Sequence, residues 1–253
     1  MTSHPPRSCC YQGVKHEGEA TGSYSTLNDF EIYTNYPADK STEHGILIIT
    51  DVIGHRFINA QLIADQFAAN GYFVMMPDLF DGDAIPLNRP AGFDLQAWLR
   101  GEYHKEKKGH LPADVDPIIE ACITEMRSKY GVKKIGAVGY CFGGKYVVRH
   151  LHPEQGKIDA GYTAHPSFVT AEELKAIKGP LSISAAEVDA IFPTEKRHES
   201  EVILKDLGFP YQINLYSGVE HGFSVRGNPE KRTVQYAKES AFLQAVQWFK
   251  EHL

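Results

Sequence analysis

No apolar run in the sequence is long enough to span a membrane; the longest, around Gly45-Ile46-Leu47-Ile48-Ile49, is the length of one strand. No apolar segment follows Met1-Thr2-Ser3-His4-Pro5-Pro6-Arg7, so no secretory signal is expected. Basic residues are not in excess. The 26 Lys and Arg against 32 Asp and Glu leave a net charge of −6, which argues against a nucleic-acid surface. Cysteine is scarce too, and four in 253 residues make no disulfide framework, so a reducing, cytoplasmic setting is expected. Internal repeats, linkers and low-complexity tracts are missing. What remains is an ordinary globular balance, 42% hydrophobic and 23% charged, in a chain sized for one α/β domain with a substantial core.

Residues 1–28 are polar, with scattered Pro and Gly and the adjacent pair Cys9-Cys10. That pair with His16 does not match the usual zinc spacings, so no metal ligand is expected and the segment reads as a loosely structured N-terminal arm. Residues 29–253 read as a single domain. Phe30 to Thr34 alternates as a strand, and Gly45 to Thr50 and Tyr72 to Met76 read as buried strands. Between the last two, Ile58, Leu62, Ile63, Phe67 and Ala69 hold helical spacing up to the stop signal Asn70-Gly71. Residues 79–112 form a long excursion, with a helix expected around Asp94 to Tyr103, placed to wall a site. Ile118, Cys122 and Met126 share a helix face, which makes Cys122 a core residue. Further strands are expected at Ala160–Ala164, Pro180–Ser184 and Tyr211–Tyr216. Thr170 and Glu173 resemble a capping box. Pro193 should start a helix running to Leu207, and Asn228-Pro229 should cap a closing helix along Val234, Ala237, Ala241, Ala245 and Trp248. Buried strands alternating with helices imply a mostly parallel central sheet covered by helices on both faces.

The most informative stretch is Gly139-Tyr140-Cys141-Phe142-Gly143-Gly144, which follows the apolar run Ile135 to Val138 and precedes a helix-compatible segment. A strand turning sharply into a helix strains the turning residue and lifts its side chain clear of the sheet. Glycines two before and two after let the backbones approach. This is the nucleophile elbow of the α/β-hydrolases with a thiol in place of the hydroxyl. A thiol titrates near ~8.5, and a helix N-terminus or an imidazole lowers that value toward a reactive thiolate.

In such a sheet, ligands bind beyond the carboxyl ends of the strands. Asp51, Asp78, Cys141, His165, Asp189 and His221 all fall there. Cys141, Asp189 and His221 follow the order nucleophile, acid, histidine. Asp189 could instead cap the helix near Pro193, and His165 stays open as a rival imidazole or a pocket residue.

With these pieces in place the chain resembles the dienelactone hydrolase family from about Phe30 to its end. The matching segments are the strand into Asp51-Val52-Ile53-Gly54, Gly71-Tyr72 through Pro77-Asp78-Leu79-Phe80, and the cysteine elbow. Asp189-Ala190-Ile191-Phe192-Pro193 and Glu220-His221-Gly222-Phe223-Ser224-Val225-Arg226 complete the set. The resemblance implies a Cys–His–Asp hydrolase acting on small lactones or esters, with an anionic substrate held by arginines. Arg226 matches one such position, and Arg89 is a looser match. At Asp51 the chain departs from studied members, which carry Glu; there the carboxylate holds the resting thiol, and Asp51 is one methylene shorter. Ala164-His165-Pro166-Ser167 is a second departure, so the pocket is expected to differ.

The expected mechanism is attack of the Cys141 thiolate on a carbonyl, with the oxyanion held by the N–H groups of Phe142 and Val52. His221 carries the proton and then activates water, while Asp189 fixes its tautomer. No metal or organic cofactor is needed, no nucleic-acid or membrane partner is expected, and monomer and homodimer both stay open. Two rivals remain: a biosynthetic lyase or isomerase on the same fold, and a non-catalytic ligand-binding relative.

Overall fold

The apolar runs fold as strands of one sheet. The computed structural model describes residues 2–90, 92–155 and 157–253; Met1, in the segment read as an arm, and Ala91, in the 79–112 excursion, lie outside the described residues. Eight strands occur among those residues: β1 (Ser23–Leu27), β2 (Phe30–Asn35), β3 (His44–Ile49), β4 (Phe73–Pro77), β5 (Lys134–Tyr140), β6 (Ala160–Ala164), β7 (Leu181–Val188) and β8 (Tyr211–Glu220). Their spatial order is β1-β2-β4-β3-β5-β6-β7-β8. The pairs β1–β2 and β2–β4 are antiparallel and all the others are parallel. Parallel strands are covered on both faces, which is why they read as continuous apolar runs rather than alternating ones. Ile46 to Ile49 of β3 and Val74 to Met76 of β4 are all fully buried.

The helices are α1 (Ile58–Ala69), α2 (Leu95–Leu99), α3 (Pro112–Ser128), α4 (Phe142–His150), α5 (Ala171–Ala176), α6 (Thr194–Leu207), α7 (Phe223–Arg226) and α8 (Arg232–His252). They cover both faces. Gly45 of β3 lies against Met126 of α3, whereas Gly136 of β5 lies against Phe249 of α8. Gly45 pairs with Ile135, one residue before Gly136, so the two glycines point to opposite faces. Helix α1 stops where Gly71 adopts φ +96°, and α5 opens on the capping box, with Glu173 N donating to Thr170 Oγ1 at 3.1 Å and Thr170 N to Glu173 Oε2 at 2.9 Å. Cys122 is fully buried on α3.

After β3 the chain moves to one side, to β4, and then crosses to β5 on the other side of β3. The carboxyl ends of β3 and β5 therefore flank the point where the winding reverses, which is where an open α/β sheet leaves a crevice for a ligand. Asp51 follows β3 and Cys141 follows β5.

Several local expectations change. Helix α2 covers only Leu95–Leu99, capped by Asp94, whose Oδ1 accepts from Gln96 N and Ala97 N. The closing helix begins at Arg232, because Asn228 Oδ1 accepts from Glu230 N at 3.0 Å and so makes a turn ahead of the helix. Strand β8 runs on to Glu220, and the four-residue α7 follows it.

The largest change is at the N-terminus. Residues 2–28 are not a loose arm: Ser8–Tyr11 form a turn of 3-10 helix, Ser23–Leu27 form β1, and Thr2, Ser3, Cys10 and Tyr11 are buried. Ser3 N donates to Val169 O at 3.1 Å, His4 N to Ile191 O at 2.8 Å and Val14 N to Arg226 O at 2.9 Å. The segment satisfies its backbone on loops that follow β6, β7 and β8, without any periodic pattern of its own.

Candidate active site

Cys141 occupies the elbow between β5 and α4 with φ +50° and ψ −107°, a conformation that a side chain adopts only under constraint. The constraint is close packing. A Cβ on Gly143 would stand 1.9 Å from Ile49 O, and one on Gly139 would stand 2.6 Å from Gly143 O. Only glycine permits β3, β5 and the start of α4 to meet in this way. Cys141 N donates to Ala164 O at 3.1 Å, which ties the elbow to the end of β6.

Asp189 and His221 arrive from the ends of β7 and β8. His221 Nε2 lies 3.1 Å from Cys141 Sγ, and His221 Nδ1 lies 2.8 Å from Asp189 Oδ2. Asp189 Oδ1 accepts from Ile191 N at 2.8 Å and Phe192 N at 3.0 Å, so the carboxylate holds its own loop and the imidazole at once. All three residues are buried. Burial pushes the Cys141 thiol up, but the Cys10 thiol, the His221 charge and His165 outweigh it and hold Cys141 well below the ordinary thiol range. Burial pulls His221 down, and the charges of Cys141 and Asp189 raise it far above an ordinary imidazole. Both shifts favour the charged forms of the pair. Asp189 is lowered in spite of its burial, chiefly by the His221 charge.

His165 lies in the site, against the second imidazole. Its ring stands 4.9 Å from that of His221, its Nε2 is 2.7 Å from Ser224 Oγ, and its backbone takes φ +40°. Burial foremost drops its pKa to about 4, which leaves it neutral and without the carboxylate partner that His221 has.

Among the described residues, the N–H groups of Phe142 and Val52 donate to no protein acceptor, although both residues are fully buried. Two unmet donors thus stand immediately after the elbow residue and shortly after β3. The 79–112 excursion packs on this end: Ile85 N donates to Val52 O at 2.8 Å, and the Phe80 ring stands 5.3 Å from that of Phe142.

Asp51 and Arg226 form a buried ion pair through Asp51 Oδ2 and Arg226 Nη1. Ile53 N donates to Asp51 Oδ1 at 3.0 Å, and Arg226 also donates through Nε to Gln12 O at 2.9 Å and through Nη2 to Cys9 O at 3.1 Å. Burial raises the Asp51 carboxyl and Arg226 opposes the rise. Arg226 is thus engaged within the protein, and a substrate carboxylate would have to compete with Asp51 for it. Arg89 is not brought to these residues: its guanidinium lies 4.1 Å from the centre of the Phe93 ring. Asp78 turns back on its own loop, accepting from Phe80 N at 3.0 Å and Gly82 N at 2.8 Å.

One site residue escapes the sequence entirely. Cys10 Sγ lies 3.6 Å from His221 Nε2, fully buried, in the turn over Cys141. His16, with which it might have been grouped, instead bonds Gly227 O at 2.9 Å. The adjacent cysteines were the available signal, but nothing in their spacing points to residues more than a hundred positions away. Beside them a cleft of about 430 Å³ is lined by Cys9, Gln12, Ala190, Glu220, His221 and Arg226. Among the described residues no helix is long and apolar enough to cross a membrane.

Comparison with known proteins gives the family and the fold. The dienelactone hydrolase family matches residues 30–253. The chain is 65% identical to hydrolase tropI of Talaromyces stipitatus, covering 100% of this chain and 99% of that one. It is 52% identical to hydrolase pyvD of Aspergillus violaceofuscus, over 100% and 99% of the two chains. Among solved structures it resembles a dienelactone hydrolase from Anabaena variabilis with a TM-score of 0.62 at 14% identity, covering 94% of this chain and 100% of that one.

Proposed function

The chain belongs to the dienelactone hydrolase family and is a carboxylic ester or lactone hydrolase; from that premise we propose that Cys141 is its nucleophile, His221 its base and Asp189 the acid that orients the base. The observation that carries this is the unbroken line from Asp189 Oδ2 to His221 Nδ1, 2.8 Å, and from His221 Nε2 to Cys141 Sγ, 3.1 Å, ending on a residue held at φ +50°. The Cys141 thiolate attacks the carbonyl carbon of a small lactone or ester. The N–H groups of Phe142 and Val52 take the oxyanion, and loss of one such donor typically costs ~10²–10³ in rate. His221 gives its Nε2 proton to the leaving oxygen, and the acyl-thioester forms. The neutral imidazole then takes a proton from water, which attacks the thioester and frees the acid. Asp189 keeps Nδ1 protonated throughout, so that Nε2 alone exchanges protons. Because Asp51 already compensates Arg226, no substrate carboxylate is required at that wall of the site.

The test is intact mass after brief incubation with an activated ester, followed by mapping of the adduct. An acyl group on Cys141 in the wild type, absent from Cys141→Ala along with turnover, is the expected result. Turnover by Cys141→Ala at a near-normal rate would refute the assignment.

A further inference from the structure

The cluster of Cys10, Cys141 and His221 has more ligand character than ester hydrolysis uses. We infer that these three residues form a Zn²⁺ site whose occupation silences the hydrolysis. The binding rests on geometry alone, and the silencing rests on the nucleophile assignment proposed above.

Cys10 Sγ, Cys141 Sγ and His221 Nε2 all lie within 4.8 Å of one another, and among the described residues no other group of three His, Cys, Asp or Glu ligands is this close. Zinc takes sulfur at about 2.3 Å and imidazole nitrogen at about 2.0–2.1 Å in a tetrahedron, which places sulfur and nitrogen ligands about 3.6 Å apart and two sulfurs about 3.8 Å apart. The Cys10 Sγ–His221 Nε2 separation is 3.6 Å, and the Cys141 Sγ–His221 Nε2 separation of 3.1 Å needs to open by only a few tenths of an ångström. Bond angles and side-chain torsions absorb a shift of that size.

The surroundings suit the metal. His221 Nδ1 is engaged by Asp189 Oδ2 at 2.8 Å, the carboxylate–histidine arrangement that fixes the tautomer with Nε2 facing a metal. Two thiolates and a neutral imidazole are soft donors that favour zinc over magnesium or calcium, and their two negative charges cancel those of the ion in a buried site. The nearby Arg226 is already met by Asp51. On binding, two protons leave to solvent, one from Cys10 and one from the Cys141–His221 pair, so that both sulfurs ligate as thiolates and the imidazole ligates neutral. The cleft lined by Cys9, Ala190 and His221 reaches the cluster at His221, while Cys10 and Cys141 are fully buried behind it. A fourth tetrahedral position is left for water. With zinc in place the Cys141 lone pair and the His221 Nε2 position are both occupied, and neither attack nor proton transfer can proceed.

The experiment strips metal from the full-length protein with a chelator, then titrates Zn²⁺ against a chromophoric indicator and Co²⁺ by absorbance. The wild type should bind one equivalent, show the near-ultraviolet sulfur-to-cobalt band, and lose hydrolysis in step with occupancy. Cys10→Ser should weaken Zn²⁺ binding by more than the ~10–100-fold that loss of an outer-shell partner costs. Each variant's rate with Zn²⁺ is divided by its own metal-free rate, and Cys122→Ser serves as the remote-thiol control. Equal Zn²⁺ affinity in Cys10→Ser and wild type would overturn the site. Absence of the cobalt band from the wild type would overturn it also, even if Cys10→Ser did not fold, and would leave Cys141 standing as nucleophile. One equivalent of bound metal with the sulfur band and undiminished hydrolysis would overturn the silencing, while the adduct mapped on Cys141 judges the nucleophile assignment separately.

Discussion

Cys141, Asp189 and His221 at the strand ends are buried, and so are Cys10 and Tyr11 of the Ser8–Tyr11 turn packed over them, yet the two regions are held by different means. At the strand ends, position follows from the sheet: each side chain begins one residue beyond a hydrogen-bonded strand, and the elbow is locked by backbone contacts that only glycine allows. In the turn, position follows from scattered bonds to distant loops, such as Ser3 to Val169, His4 to Ile191, and Arg226 to the carbonyls of Cys9 and Gln12. The sheet-borne residues take their positions from one continuous hydrogen-bonded ladder, whereas the cover takes its position from bonds to several separate segments.

The sharpest way to break this comparison is at the nucleophile. Cys141→Ala should lower kcat/KM for an activated ester by roughly 10⁴-fold or more, with the fold intact by circular dichroism. His221→Ala should fall by a comparable factor, and His165→Ala by much less, mainly through KM. If His165→Ala lost the larger factor, the neutral imidazole would be the base and the line through Asp189 would be incidental.

A second substitution acts where the two regions are joined. Asp51→Ala leaves Arg226 charged and buried among carbonyls, so it should cost about 3–5 kcal/mol and lower the thermal midpoint by on the order of 10 °C. Replacing both members, as Asp51→Leu with Arg226→Met, should recover much of that loss, because no uncompensated charge remains. Calorimetry on the single and double variants decides between a pair that is needed and a pair that is merely expensive to break.

Smaller still is the effect expected from loosening the cover alone. Tyr11 is buried with its ring 6.2 Å from that of Phe93. Tyr11→Ala should raise the rate at which a maleimide labels Cys141 in the folded protein on the order of tenfold, the factor that ~1.4 kcal/mol of local opening confers. The global midpoint should move little. Unchanged labelling would mean that the turn does not control access to the thiol.

The smallest effect lies in the helix layer beneath the elbow. Asp116 of α3 pairs with Arg149 and lies 3.0 Å from His150 Nε2, both on α4. Burial raises its carboxyl, but the bonds from His150 and Arg149 prevail and bring it down to about 2. A depressed carboxyl stabilises the fold fully above its unfolded value of ~3.9 and loses that contribution as pH falls through about 2. The cluster is partly solvated, so screening keeps Asp116→Asn to ~1 kcal/mol or less at neutral pH. The urea-midpoint gap between variant and wild type should narrow as pH falls from 4 toward 2; a constant gap would assign the loss to packing.

The same division explains what could be read from the amino acids. The parallel strands were legible because burial on both faces leaves unbroken runs such as Ile46 to Ile49, and the elbow because two glycines bracket Cys141. The order of Cys141, Asp189 and His221 was legible because each follows a strand. Cys10 was not, since a segment without apolar periodicity carries no signal of what it packs against. Nor was the pairing of Asp51 with Arg226, which joins residues 175 positions apart. Read singly, one looked like a thiol partner and the other like a substrate ligand. Helix α7, at four residues, is too short for any period to show.

The bond from Arg226 Nη2 to the Cys9 carbonyl spans 217 positions, and it bears on how the polypeptide is made. At ribosomal speeds of about 5–20 residues per second, Cys9 and Cys10 wait roughly 10–45 s for the residues that will shelter them. Val169, Ile191 and Arg226, which anchor the early segment, all emerge late. During that interval two adjacent thiols travel uncovered on a nascent chain, open to oxidation or capture by a passing metal. Seating of Ser3, His4 and Cys9 on these late partners is therefore a closing step of folding rather than an opening one, and a chain truncated before Arg226 would lack the bonds that hold the Cys9 and Gln12 carbonyls.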